Sequence, residues 1–118
     1  MSKDRKVGSM EILYKSTRGN GETVTASQAI LQGLSPDGGL FVPTEIPQLK
    51  KSLKELSLLS YQELAYQVMS SFLTDFTEEE LKECIGKAYD SKFDTEEIAP
   101  LAEKDGVYFL ELFHGATI

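Results

Sequence analysis

The stretch VYFLELF, at positions 107–113, constrains the fold more than any other part of the sequence. Every side chain in it except Glu111 is apolar, so a strand built here has no polar face to turn toward water. It predicts an interior strand of a mixed α/β layer, covered on both sides. The strand runs straight into His114 and Gly115, a turn that holds the only histidine of the chain.

The rest of the sequence supplies elements that could provide such cover. MEILYKS alternates Met10, Ile12 and Tyr14 with Glu11, Leu13 and Lys15, which predicts a first strand. TRGNGET follows, with Gly19, Asn20 and Gly21 as turn residues. Thr25 and Gln28 have the spacing of a capping box, in which each side chain bonds the other residue's backbone N–H. They predict a short helix with Ala26, Ala29 and Ile30 on its apolar face and Gly33 as its stop. LSPDGGLFVP reads as a turn and a short apolar strand closed by Pro43, and KKSLKEL as a polar linker with some helical capacity.

Two further boxes, Ser60 with Glu63 and Thr77 with Glu80, predict longer helices. Leu64, Ala65, Val68, Met69 and Phe72 share one face of the first; Leu81, Cys84, Ile85, Ala88 and Tyr89 follow helical spacing in the second. Glu78, Glu79 and Glu80 sit in a first turn, where the helix dipole favours negative charge, so they need no metal to explain them. Pro100 interrupts any helix starting near Thr95, which predicts an irregular segment up to a turn at Asp105–Gly106.

Composition narrows the function classes. A chain of 118 residues suits one domain, and a net charge of −7 repels phosphate backbones and anionic membranes, against nucleic acid as partner. No run approaches the roughly 18 apolar residues of a membrane span. The lone Cys84 rules out an internal disulfide and a cysteine-built zinc site; it is expected as buried filler and fits a reducing cytoplasm. Residues 1–9, which end in Gly-Ser before Met10, read as a disordered extension of the kind a cloning vector leaves, with a domain over 10–118.

Taken singly, few residues point to chemistry. There is no G-x-S-x-G and no Walker loop. The PDGG turn reads either as a tight turn feeding a strand or as a nest of N–H groups for an anion. Arg18 is either a hook for phosphate or carboxylate, a solvated loop residue, or half of a structural salt bridge with an acid such as Asp37. His114 alone reads as a loop histidine with satisfied hydrogen bonds.

Taken together, YKSTRGN, QAILQGLSPDGGLFVP and ELFHGATI, in that order and spacing, resemble the N-terminal region of bacterial threonine synthases. The resemblance runs from about Met10 to the last residue and is most specific in GLSPDGGLFVP and LELFHGAT. It implies the small N-terminal domain of a tryptophan-synthase-β-like (type II) pyridoxal-phosphate enzyme. Such enzymes are cytoplasmic and convert O-phospho-L-homoserine and water to L-threonine and phosphate. In the family, the lysine that carries pyridoxal 5′-phosphate follows the His-Gly turn closely, so the chain is expected to be a fragment ending just before it and inactive alone.

The resemblance further implies that His114, Gly115 and Thr117 line the cofactor pocket and, more weakly, that Arg18, Asp37 and Gly38 contact the substrate. Ala116 stands where the family usually has Pro and Ile118 where it often has Leu, which loosens the expected turn but touches no reacting group. A fragment should leave apolar surface open at 107–113 and 64–72, for the remainder of the same chain or for self-association. The alternatives are a stand-alone interaction module without chemistry and a threonine-synthase-like phospholyase acting on another phosphorylated amino alcohol.

Overall fold

A computed structural model describes residues 11–115. The expected extension at 1–9, the strand start at Met10, and Ala116, Thr117 and Ile118 lie outside the described residues. The architecture is mixed α/β, with nine elements among the described residues in the order β1 (Tyr14–Ser16), β2 (Thr23–Val24), α1 (Ala26–Gln32), β3 (Phe41–Pro43), α2 (Leu53–Leu56), α3 (Tyr61–Phe72), α4 (Glu78–Ala88), β4 (Leu101–Lys104) and β5 (Val107–Leu110).

β1 is the centre of an antiparallel sheet ordered β2-β1-β3, with Tyr14 opposite Val24 on one side and Pro43 on the other. The alternation expected from the sequence sends Ile12, Tyr14 and Ser16 inward. Ile12 and Tyr14 form a core with Ala26 and Ala29 of α1, edged by Val24, Phe41, Leu73 and Phe76. Two long-range hydrogen bonds tie this core to the helical part: the Tyr14 hydroxyl donates to the Phe72 carbonyl (2.8 Å), and the Ile12 amide to Thr74 Oγ1 (3.0 Å).

The expected capping boxes at Thr25, Ser60 and Thr77 all form, and Gly33 closes α1 at φ +83°. A fourth box, Ser52 with Glu55, opens α2 inside the segment read as a linker. Charge and propensity hid it, since a single turn of helix has almost no periodicity to display. α3 and α4 pack against each other.

Several expectations fail in instructive ways. Cys84 and Ala88 are exposed; the buried stripe of α4 is only Leu81 and Ile85, one i, i+4 pair wide. Ile30 is 59% exposed, so only Ala26 and Ala29 of the α1 face are buried. No residue of α3 is buried, and its apolar face is half-covered. The segment before Gly106 is not irregular throughout, because β4 pairs with β5 from Leu101–Leu110 to Lys104–Val107. The largest correction concerns 107–113. Its strand belongs to a two-stranded hairpin rather than the interior of a layer, and all four residues of β5 are exposed.

Candidate functional site

Two clusters hold the residues singled out from sequence. The first joins the β1–β2 turn to the SPDGG turn before β3. β1 brings Ser16, Thr17 and Arg18 to one side, and the chain reversal at Gly38 (φ +85°) brings Ser35, Asp37 and Gly39 to the other. The Asp37 carboxylate accepts from Ser16 Oγ (2.7 Å) and from the Gly39 amide (3.0 Å), while the Asn20 side chain donates to Ser35 Oγ (3.2 Å). Ser16 and Ser35 are buried. The Ser16 hydroxyl, then the Gly39 amide, hold the Asp37 carboxyl below the ordinary carboxylate value.

The nest reading of this turn finds no support, because its amides are occupied internally. The Gly38 amide donates to the Ser35 carbonyl (2.8 Å) and the Gly39 amide to Asp37. Arg18 does meet Asp37, but by donating from Nη1 to its main-chain carbonyl (3.0 Å) rather than to the carboxylate. Both glycines permit this arrangement. A Cβ on Gly38 would stand 2.9 Å from Arg18 Nη1, and one on Gly39 only 2.3 Å from Ser16 Oγ. Arg18 is thus oriented across the double turn through one nitrogen, and it remains exposed.

The second cluster gathers at the end of β5. His114 Nε2 lies 2.8 Å from Glu111 Oε1, and Nδ1 lies 2.5 Å from Asp94 Oδ1. The Asp94 amide donates back to the His114 carbonyl (3.0 Å), and the Phe113 ring lies 4.5 Å from the imidazole. The Glu111 bond, against the cost of partial burial and with help from Asp94, raises the His114 pKa above its ordinary 6.5. Gly115 is pressed on Phe93, whose ring would stand 2.3 Å from any added Cβ. Nearby, Ile98 is buried at φ +65°, a costly conformation for a β-branched residue, and Thr95 Oγ1 is buried without a hydrogen-bond partner among the described residues.

The structure therefore brings Arg18, Asp37 and Gly38 into one cluster and His114 and Gly115 into another; Thr117 is outside the described residues. Sequence reasoning missed Ser16, Asn20 and Ser35, although small polar residues beside paired glycine turns are a usable signal. It also missed Glu111, legible as the i, i−3 neighbour of His114, and Asp94, for which no local signal exists. Among the described residues no group of three His, Cys, Asp or Glu side chains could hold a metal ion, and no helix is long and apolar enough to cross a membrane.

Residues 13–89 match the family profile described as threonine synthase N terminus. The chain is 40% identical over 113 residues to threonine synthase of Schizosaccharomyces pombe, covering 92% of this chain and 22% of that protein. It is 39% identical over 108 residues to a Pongo abelii protein named threonine synthase-like 2, with coverage of 88% and 22%. A crystal structure of threonine synthase from Brucella melitensis with pyridoxal phosphate bound superposes with a TM-score of 0.74 at 33% identity, over 89% of this chain and 23% of that one. The chain spans less than a quarter of the length of these relatives. By the extent of the family match and the shared fold, the chain belongs to the threonine synthase N-terminal family.

Proposed function

We propose that the chain works as the N-terminal portion, over 10–118, of a cytoplasmic threonine synthase that converts O-phospho-L-homoserine and water to L-threonine and phosphate. The observation that carries this reading is Arg18, tethered by one nitrogen across the two glycine turns, on a chain that belongs to this family. An exposed guanidinium with one N–H committed to a carbonyl keeps its other donors for a dianionic phosphate. Asp37 stays ionised near neutral pH and spends its Oδ1 lone pairs on Ser16 and Gly39, so its role is to shape the turn rather than move a proton. Gly38 contributes by lacking a Cβ where the guanidinium passes.

The described residues fit a pyridoxal-phosphate pocket as one wall, not as its anchor. The Phe93 ring covers the side of Gly115 where a Cβ would stand, and His114, Gly115 and Thr117 are the residues that would lie along the cofactor. The amine that holds the cofactor is assigned to the lysine that the family resemblance implies soon after the His-Gly turn, in the remainder of the full-length polypeptide. Bound pyridoxal phosphate supplies an electron sink for the substrate's Cα and Cβ, which permits loss of the γ-phosphate. The chain's own part is to bind the leaving phosphate through Arg18 and to set the turn that orients the cofactor-bearing segment. The 118-residue chain alone is expected to be inactive.

The chain is also similar to a protein named threonine synthase-like 2, and the second reading is a threonine-synthase-like phospholyase acting on another phosphorylated amino alcohol. Phosphate release by the full-length polypeptide separates the two. O-phosphohomoserine as preferred substrate, with threonine as product, supports the first reading; release without threonine supports the second. Arg18→Ala should raise KM for the phosphorylated substrate by about tenfold, the worth of one charged hydrogen bond. An unchanged KM removes Arg18 from the site.

A further inference from the structure

Both ring nitrogens of His114 face carboxylate oxygens, Glu111 Oε1 at 2.8 Å and Asp94 Oδ1 at 2.5 Å. An ionised carboxylate only accepts, so two such partners require a proton on each nitrogen, and neutral imidazole has one. The side chain is only 14% exposed, while Asp94 is 69% exposed and Glu111 29%, so the ring is the enclosed member of the group. Two charged groups face it, Asp94 from the loop after α4 and Glu111 from the end of β5. The same two backbone segments meet again where the Asp94 amide donates to the His114 carbonyl and where Phe93 covers Gly115. The loop they anchor carries the unfavourable φ of Ile98, a feature that persists only where neighbours hold it.

We propose that Asp94 and Glu111 are positioning residues that keep His114 as an imidazolium pin, fixing the His-Gly turn to the loop after α4, so that this histidine neither gives up nor takes up a proton during turnover. With both N–H groups donated, the ring has no lone pair for a base and no spare donor for an acid. Its contribution to a cofactor pocket is made through the main chain of residues 114 and 115, which the pin holds in place. That purpose rests on the functional reading above; the pin itself does not.

Because the chain has one histidine, its imidazole signals are unambiguous in a nuclear magnetic resonance titration of the untagged 118-residue protein. The wild type should show both ring nitrogens protonated at neutral pH and a midpoint above 6.5. Glu111→Gln and Asp94→Asn should each move the midpoint down toward 6.5, while the resonances of Ile12 and Tyr14 stay in place as a check on folding. A neutral ring at neutral pH, or a midpoint indifferent to both substitutions, overturns the pin whether or not the variants fold well. In the full-length polypeptide, absorbance reads cofactor retention. A wild type that takes up no pyridoxal phosphate defeats the functional reading and leaves the pin to the titration. A loaded wild type with equally well loaded variants overturns the positioning role.

Discussion

The β2-β1-β3 sheet and the β4–β5 hairpin are both short and antiparallel, and they differ in what lies on their faces. β1 and the residues leading into it present Ile12 and Tyr14, 3% and 8% exposed, to Ala26 and Ala29 of α1 and are tied to the α3–α4 region through Phe72 and Thr74. β5 is the more apolar strand, yet Val107, Tyr108, Phe109 and Leu110 are each more than half exposed, and Leu112 and Phe113 after it are more open still. Ile30, Leu31 and Leu34 near α1 are open as well. The lesson is that apolarity measures how much cover a strand needs, whereas the packing partner decides whether it has any. In the first region the strand finds its cover in α1, which follows it closely in sequence. In the second, the hairpin's own backbone bonds and the His114 cluster are what hold it.

Replacing one apolar side chain in each region should break or sharpen this contrast most strongly. Ile12→Ala removes a nearly enclosed side chain and should cost about 2–5 kcal/mol in denaturant unfolding, a large part of a small domain's stability. Phe109→Ser, on an open face, should change stability by no more than about 0.5 kcal/mol and reduce self-association measured by sedimentation. Equal costs at the two positions would mean that the hairpin is buried in solution, and the contrast would be lost.

A smaller difference is expected between two glycines. Gly39→Ala drives a methyl into Ser16 Oγ and Thr17 Oγ1 and should cost about 1–3 kcal/mol of global stability. Gly106→Ala meets nothing within 4 Å but must hold φ +80°, for about 1–2 kcal/mol of strain confined to the hairpin. Hydrogen exchange should therefore show the first change across the core and the second only in β4 and β5. Below these come the caps. Thr25→Ala should cost about 1 kcal/mol because α1 carries half of the central core, and Ser52→Ala about 0.5 kcal/mol because α2 is one turn long. Thermal unfolding that ranks Ser52→Ala above Thr25→Ala would give the linker segment a structural weight its exposure does not suggest.

The same contrast governs what was legible in the sequence. Capping boxes are local, four-residue statements, and the boxes at Thr25, Ser60 and Thr77 were readable without knowledge of anything distant. The period-2 inward pattern of Ile12 and Tyr14 was readable for the same reason. β4 was not, because LAEK has no strand preference and becomes a strand only through pairing with β5. The exposure of Cys84 was missed because helical spacing predicts a stripe but not its width. At the sites, a salt bridge with an acid such as Asp37 was one of three readings of Arg18, while the contact actually made, through the Asp37 carbonyl, depends on the turn's three-dimensional path. The bond from Asp94 to His114 spans twenty residues, and nothing local announces it.

The smallest effect is the most diagnostic, because the two regions should respond to pH in opposite directions. Burial opposes ionisation of Asp75, but bonds from the Ser27 hydroxyl and amide outweigh it and place its pKa below the ordinary 3.8. A carboxylate with a depressed folded pKa stabilises the fold above its unfolded value, and that contribution is lost as pH falls through the folded one. His114 has the reverse sign. Its folded pKa lies above 6.5, so its contribution is complete below 6.5 and disappears as pH rises through the folded value. The Ser27 amide, bound to Asp75, and the Asp94 amide, bound to the His114 carbonyl, report the two sites separately. Corrected for intrinsic exchange rates, protection at Ser27 should fall on the acid side and protection at Asp94 on the alkaline side. Both amides losing protection at the same end of the pH range would mean that one global transition controls both regions, and the hairpin would then be an integral part of the core rather than a strand pinned to it by a charged histidine.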